Sequence, residues 1–582
     1  MKHGDLLTAY FTMEAGFYTD LKTYSGGLGI LAGDILKSAA DMRVPMSAMT
    51  LLYNYGYFDQ LIQNKRQVEE YNRVDPMEFM FVLPHTVDVE IEGRKVEVGC
   101  ARMKYVGNTN FAQPQYFLFA KGNDGHPWDN NITDKLYMKA GDDPDNYWRI
   151  AQEQILGIGG VKMLHVLAES GEITLPQFYH LNEGHAAFVP LELAKRYGLK
   201  EAKEKTIFTT HTPVPAGHDV FKYGKLKEML RDYMDGIDIR SLGGYNDLNM
   251  TTLALNMSKN KNAVSKLHGL VSSNMFPGQK IDSITNGVHS DTWTARIFQK
   301  LYDEYFNGHN NPDNWRANPK LLEGIDAVPD EYILRAHQNA KNKLVDYIKK
   351  KTGDELSADK LTIGFARRFA TYKRGDLIFS DLERLVDTCG DKQVQFVFSG
   401  KAHPSDEDGK RIITNVLNNV EKLKGKIDIV FLPNYEMDKA QMLVAGVDVW
   451  LNLPRTPLEA SGTSGMKAAH NGVPTLSTAD GWWWEVQKEV DGERRGGWTI
   501  GNEPNVNDLS SNDNDRRRQD ETDFSSFCDR MSDIKSEYAH PAQRAKKYKG
   551  AIKNASYFNT HRVVQEYVEK QYGVPLQEAI VK

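Results

Sequence analysis

The chain has 582 residues, enough for two to four domain-sized units around a large core, so a small disulfide-stapled module is excluded. Its 40% hydrophobic, 10% aromatic and 26% charged residues are those of a folded rather than a disordered chain. A net charge of −6 gives no reason to expect a nucleic-acid-wrapping surface, and three scattered cysteines, Cys100, Cys389 and Cys528, argue for a reducing compartment without a disulfide framework or thiolate cluster.

The first residues contain no apolar signal core, and no stretch approaches about eighteen consecutive apolar residues, which predicts a cytoplasmic protein with no membrane partner. The first motif is Tyr24-Ser-Gly-Gly-Leu-Gly-Ile-Leu-Ala-Gly-Asp34, whose glycines 26, 27 and 29 precede a helical run over 30–40. Glycines there let backbone amides approach an anion at a helix start, although a tight turn is the commoner use and the spacing is not the dinucleotide fingerprint. Histidines follow in polar clusters, Asn182-Glu-Gly-His185, Thr209-Thr-His211 to His218-Asp219, and Thr285-Asn-Gly-Val-His289. Their spacing suits hydrogen bonding to a polyhydroxylated ligand and matches no metal site.

Apolar, β-branched runs that stop abruptly at polar residues predict buried strands ending at 210 before His211, at 365 before Arg367, at 398 before Ser399 and at 432 before Pro433. Helical patterns over 331–350 and 438–446 alternate with them. This rhythm predicts an α/β fold with parallel sheets and chemistry at the strand C-termini, in two regions divided near Gly287 and Val288. The strand ending at 365 delivers Arg367, Arg368, Lys373 and Arg374 among Phe369 and Tyr372, a grouping that suits an oxyanion pocket, with a solvated basic face as the bland reading. Downstream, Ser461-Gly-Thr-Ser-Gly465 offers hydroxyls and amides, and Lys467 falls in the first turn of a predicted helix. With the aromatic Asp480-Gly-Trp-Trp-Trp-Glu485 nearby, Lys467 becomes a candidate desolvated, Schiff-base-forming amine. Residues 501–520 read as a polar surface loop, their Arg516-Arg517-Arg518 as a solvated face, and 559–572 as a terminal amphipathic helix.

Taken together, Glu459-Ala-Ser-Gly-Thr-Ser-Gly-Met-Lys467, Arg367-Arg-Phe-Ala-Thr-Tyr-Lys373, Ser25-Gly-Gly-Leu-Gly29, Asn182-Glu-Gly-His185, Thr210-His-Thr212 and Thr285-Asn-Gly287 resemble, in order, the motifs of the α-glucan (glycogen, starch and maltodextrin) phosphorylases, in particular their shorter prokaryotic branch. The resemblance implies a glycosyltransferase B-type fold, with two Rossmann-like domains (1–287 and 288–582) facing a central cleft and the last helix packing back on the first domain. It also implies retaining, reversible phosphorolysis of an α-1,4-glucan or maltodextrin by inorganic phosphate, giving α-glucose 1-phosphate, with pyridoxal 5′-phosphate as cofactor and no metal. Lys467 would carry the cofactor covalently, and Arg367, Gly462, Thr463, Ser464 and Gly27 would surround it. Arg368 and Lys373 would bind the substrate phosphate, and the main chain at His211 would lie near the reacting carbon. Gly26, Gly27, Leu28, Asn286, Glu459, Ser461 and Gly462 would contact phosphate or glucosyl hydroxyls.

The chain departs from the longer family members at Ser464-Gly465, where they carry Gly-Asn, at Arg367, where they carry lysine, and after Thr212. It is also expected to lack their regulatory N-terminal extension. A homo-oligomer remains open. The rival readings are a nucleotide-sugar-dependent glucan synthase without a covalent cofactor and a glucan-binding protein with a degenerate site.

Overall fold

The structure, a computed structural model, describes residues 5–122, 126–137, 143, 146–308, 311, 313–489, 496–506 and 512–581. Two parallel sheets organise it. In the first, the strands run Asp282–Ser283, Asn260–Ala263, Thr206–Thr209, Phe178–Asn182, Thr8–Phe11, Met46–Leu51 and Ala112–Lys121, all parallel, followed by the antiparallel Arg94–Val106 and Phe81–Ile91. The second has six parallel strands in the order Asp428–Leu432, Val394–Ser399, Leu361–Ala366, Val449–Asn452, Thr475–Thr478 and Gly497–Ile500. The chain therefore has the mixed α/β architecture with parallel sheets expected from its strand rhythm.

Numbered along the chain, the parallel strands of each sheet begin with the third, second, first and fourth, the doubly wound order. In such a sheet a crevice opens beyond the strand C-termini where the winding reverses direction. In the first sheet that reversal lies between Thr8–Phe11 and Phe178–Asn182, and in the second between Leu361–Ala366 and Val449–Asn452. All six residues of Leu361–Ala366 are buried, as a strand covered on both faces requires.

Each sheet is packed on both faces. One face of the first sheet is covered by the helix Gly27–Asp41 together with the terminal helical segment, through Leu31, Ile35, Val563, Val564, Tyr567 and Val568. The terminal helix runs over Thr560–Glu566, continues as a π-helical turn over Tyr567–Gln571, and is followed by a short helix at Leu576–Ala579. Opposite it, Phe11, Met49, Leu118, Ile155 and Leu164 form the larger cluster. The glycine-loop helix also reaches the second sheet, where Ile30 joins Ala366, Leu432, Met466 and Trp482. The chain crosses between the two regions at two places that lie side by side: the Val288 amide donates to Phe558 and the Thr560 amide donates to Val288.

Two features depart from the sequence reading. The antiparallel strands and the hairpin Asp59–Gln63/Arg66–Glu70 were not foreseen; their two-residue turns, Glu92-Gly93 and Asn64-Lys65, hold both residues at positive φ, as the twist of a tight hairpin favours. The predicted loop at 501–520 is a helix from Asp513 onward, running to Ala539, and its residues 507–511 lie outside the described residues. The Asn and Asp residues that suggested a turn instead cap this helix: the Asn512 side chain accepts from the amides of Asn514 and Asp515, with Asp513 and Asp515 in the first turn.

Candidate active site

The reversal point of the second sheet gathers the basic residues. Arg367 leaves the end of its strand with its side chain buried and donates through Nη2 to Glu459 Oε2 at 2.6 Å. Lys373, buried on the 3₁₀ turn Thr371–Lys373, donates to both oxygens of the same carboxylate at 3.1 and 2.8 Å. Burial alone would raise the Glu459 pKa, but the two cations reverse that and hold it at about 2. Behind it, Asp480 accepts from the Glu459 amide at 2.9 Å, its own pKa pushed up by burial. Arg368, the next residue in the chain, is exposed, its charge favoured by Tyr372 and Tyr57.

Arg374 belongs elsewhere, which corrects its inclusion in the basic pocket. Its guanidinium donates to the carbonyls of Leu453 and Pro454 and pairs with Asp520 and Asp523, fastening the helix Asp513–Ala539 to the sheet.

The turn that follows is built by close approach. Gly462 has φ +70, and a Cβ on Gly465 would stand 2.7 Å from Trp482, so small residues are required at both positions. The helix Ser464–Ala469 has only six residues, so its macrodipole is weak and anion affinity at this turn must come from amides and hydroxyls. Ser464 Oγ already bonds Trp450 Nε1 and Asn452, whereas Thr463 caps nothing. Lys467 is buried with its Nζ 3.9 Å from the centre of the Trp293 ring, and burial lowers its pKa to about 8.

From the other region, the glycine loop opens the helix Gly27–Asp41. The first helical amides, at Gly27, Leu28 and Gly29, have no acceptor within the helix, and Gly26 offers no side-chain cap. Gly26 and Gly27 are not buried, and a Cβ on either would meet nothing within 4 Å, so the loop borders open space. Glu14 fixes the loop, accepting from the Ser25 and Gly26 amides and from Tyr137 Oη at 3.0 Å.

At the first sheet's reversal point, Glu183 adopts φ +74 and ψ 168, a backbone conformation open mainly to glycine. Its carboxylate accepts from the His211 amide at 2.8 Å and the Thr212 hydroxyl at 2.9 Å, so it shapes the 210–212 loop. Burial pulls the His211 pKa to about 3, so its ring is neutral and cannot serve as an acid near pH 7. Asn286 is buried beside the crossing of the two chain segments, its carbonyl accepting from Arg562. Ser265 donates to the Ala460 carbonyl at 2.6 Å and Thr285 to Glu485 at 2.8 Å, tying the Glu459 turn to the first sheet's loops. A cavity of about 290 Å³ lined by Tyr137, Arg149, Asp219 and His403 adjoins Glu14 and Arg368.

Several buried polar atoms at this site have no partner among the described residues: Arg367 Nε and Nη1, Ser461 Oγ, Asn286 Oδ1 and Thr210 Oγ1. Unsatisfied buried donors and acceptors are costly, and these are of the types that bind a phosphate-bearing ligand and hydroxyls. Among the described residues, no group of three or more His, Cys, Asp or Glu side chains is arranged to hold a metal ion, and no helix is long and apolar enough to cross a membrane.

The sequence model of the carbohydrate phosphorylase family matches residues 19–110 and 225–521. The chain belongs to the carbohydrate phosphorylases. Among members of this family, it is 38% identical to the maltodextrin phosphorylase of Thermococcus litoralis, over 98% of this chain and 71% of that one. It is 32% identical to the glycogen phosphorylase of Aquifex aeolicus, over 98% and 86%, and 35% identical to that of Mycobacterium tuberculosis, over 87% and 63%. Glu14 and Trp293 are residues of this region that motif reasoning did not single out, whereas Glu183 and Asp34 lie inside motifs quoted above but were given no role of their own. Glu14 could have been found as the acid just past the end of a strand, but nothing local marks Trp293.

Proposed function

We propose that this carbohydrate phosphorylase cleaves α-1,4-glucans by reversible, retaining phosphorolysis, releasing α-glucose 1-phosphate, with pyridoxal 5′-phosphate bound at Lys467 and the reaction taking place in the cytoplasm. The observation that carries the reading is the cluster of Arg367, Lys373 and Glu459 at the reversal point of the second sheet, with a buried Lys467 on the helix Ser464–Ala469 that follows the Glu459 turn. In this reading residues 1–287 and 288–582 are two Rossmann-like domains facing a cleft, in a glycosyltransferase B-type arrangement.

The residues present fit the cofactor. Arg367 has two buried N–H nitrogens with no partner among the described residues, Thr463 and the turn at Gly462 lie beside Lys467 in sequence, and the loop at Gly27 borders open space. When bound, the cofactor supplies a phosphate monoester whose second pKa of about 6 lets it exchange a proton near neutral pH. Arg368, Lys373 and the Gly27 and Leu28 amides bind the attacking inorganic phosphate. Two adjacent phosphates repel by about 4 kcal/mol per unit-charge pair at 4 Å and an effective dielectric of 20, and these cations offset that repulsion.

Glu459, Ser461, Gly462 and Asn286 orient the glucosyl hydroxyls. A phosphate oxygen bonds to the anomeric carbon as its bond to the glycosidic oxygen breaks, and a proton passes to that oxygen from the phosphate side. Retention then calls for no carboxylate nucleophile, in keeping with a Glu459 carboxylate engaged by two cations. The neutral His211 ring leaves its main chain as the contributor.

Borohydride reduction followed by peptide mapping tests the reading. A pyridoxyl adduct on Lys467, with phosphate-dependent release of glucose 1-phosphate from maltodextrin, is expected. No adduct, together with activity on ADP-glucose or UDP-glucose, would overturn it in favour of a glucan synthase.

A further inference from the structure

Lys467 is not alone in its pocket. Asp34 and Lys37, on the glycine-loop helix, and Trp293, from the segment after Gly287, are buried beside it, with relative exposures of 1%, 4% and 1% against 6% for Lys467. Trp293 is the common surface: its Nε1 donates to Asp34 Oδ2 at 2.7 Å, while Lys467 Nζ lies 3.9 Å over its ring. The second carboxylate oxygen, Asp34 Oδ1, is buried and carries no hydrogen bond among the described residues. Lys37 Nζ reaches Thr292 Oγ1 at 3.4 Å. One buried carboxylate thus lies near two buried ammonium groups without a direct ion pair to either, an imbalance that a low-dielectric site relieves by driving one amine toward its neutral form.

We propose that Asp34 is the positioning residue for Lys467: its carboxylate fixes the Trp293 ring on which the Lys467 ammonium rests and, by dividing its single charge between Lys467 and Lys37, sets how readily the reactive amine gives up its proton.

The surroundings decide which amine yields. Lys37 has two further carboxylates within range, Asp41 and Asp291, whereas among the described residues Lys467 has Asp34 as a favourable charge and Lys37 as an opposing one. Asp34 itself is faced by Lys467, Lys37, His289 and the Trp293 N–H. His289 is engaged with Asp41 at 2.7 Å, so it competes weakly for Asp34. Burial dominates the Lys467 pKa and lowers it to about 8; Asp34 opposes that fall and Lys37 deepens it.

The proposal deepens the cofactor reading, because it takes Lys467 as the reactive amine, but its test is independent of the cofactor. The full-length protein, freed of carbonyl ligand, is labelled with trace acetic anhydride across pH 6–10, and the Lys467 peptide is quantified by mass spectrometry. Asp34→Asn keeps an acceptor for Trp293 and removes the charge. The Lys467 midpoint is expected to fall by about one pH unit, raising its acetylation at pH 7 about fivefold. Lys37→Met leaves Asp34 undivided and is expected to raise the midpoint, lowering acetylation at pH 8 by a similar factor.

A merely structural role for Asp34 would not move the two variants in opposite directions. A midpoint in Asp34→Asn within about 0.3 of the parent protein overturns the proposal. Should Asp34→Asn fail to fold, an unchanged or lowered midpoint in Lys37→Met overturns it instead. Absence of a pyridoxyl adduct on Lys467 would remove the cofactor reading and leave these midpoints as they are.

Discussion

Glu459→Gln is the most informative single change, because Glu459 neutralises two cations that the proposed chemistry requires. Its side chain is 11% exposed, so solvent screens the triad little. The fall of its pKa from 4.5 to about 2 corresponds to roughly 3 kcal/mol of preference for the ionised form in the folded protein. Because the folded pKa is depressed, that stabilisation is present above pH 4.5 and is lost as pH falls through about 2. Glutamine cannot balance Arg367 and Lys373, so at pH 7 in low-anion buffer the variant loses up to about 3 kcal/mol. Asp480, relieved of the neighbouring charge, ionises more readily and makes this an upper value.

Inorganic phosphate takes the seat that Glu459 vacates, and at a hundred times its dissociation constant it restores about 2.7 kcal/mol. The assay is the melting temperature of the parent and variant proteins with and without phosphate. The variant should melt several degrees lower, and phosphate should raise its melting temperature more than the parent's. Equal melting temperatures with equal phosphate responses would refute the idea that the Arg367–Lys373 pair is an anion seat guarded by its own carboxylate.

Two further outcomes follow from buried ion pairs. Arg374→Met undocks Asp520 and Asp523 and is expected to cost about 3 kcal/mol or more of stability, while the phosphate KM stays within about twofold; a selective rise in that KM would return Arg374 to the phosphate site. Asp448, which accepts from His337, Lys341 and the Thr362 amide, is held at about 2 by Lys341 and His337 against the effect of burial. Its contribution of about 2.5 kcal/mol is full above pH 3.8 and lost as pH falls through about 2, so Asp448→Asn should flatten acid unfolding over that window; an unchanged profile measured by circular dichroism would contradict it.

Much of the second sheet could be read from the chain. Its strands are short, largely apolar and followed closely by polar residues, and Arg367, Glu459 and Lys467 stand in local motifs from which their proposed roles are read. What stayed hidden depends on contacts distant in sequence. The Arg374 pairing spans 149 positions to Asp523, and the Trp293–Asp34 bond spans 259, so neither leaves a local periodicity. The helix at 513–539 was missed because Asn and Asp stop a chain in one context and start a helix in another. The antiparallel edge strands carry exposed residues such as Phe81 and Val82, which blur the alternation that would mark them.

The terminal helical segment that covers the first sheet has a consequence for biosynthesis. Ile284 and the strands before it are made early, yet Val563, Val564, Tyr567 and Val568, which complete the same apolar cluster, emerge about 280 residues later. At ribosomal rates of about 5–20 residues per second, that interval is roughly 15 to 55 s. Throughout it, the face formed by Leu7, Tyr10, Met46 and Ile207 must wait only partly covered in the nascent chain, by the helix Gly27–Asp41. A ribosome stalled before residue 560 therefore holds an aggregation-prone sheet, and chaperone capture of such chains should cease once the last helix is released.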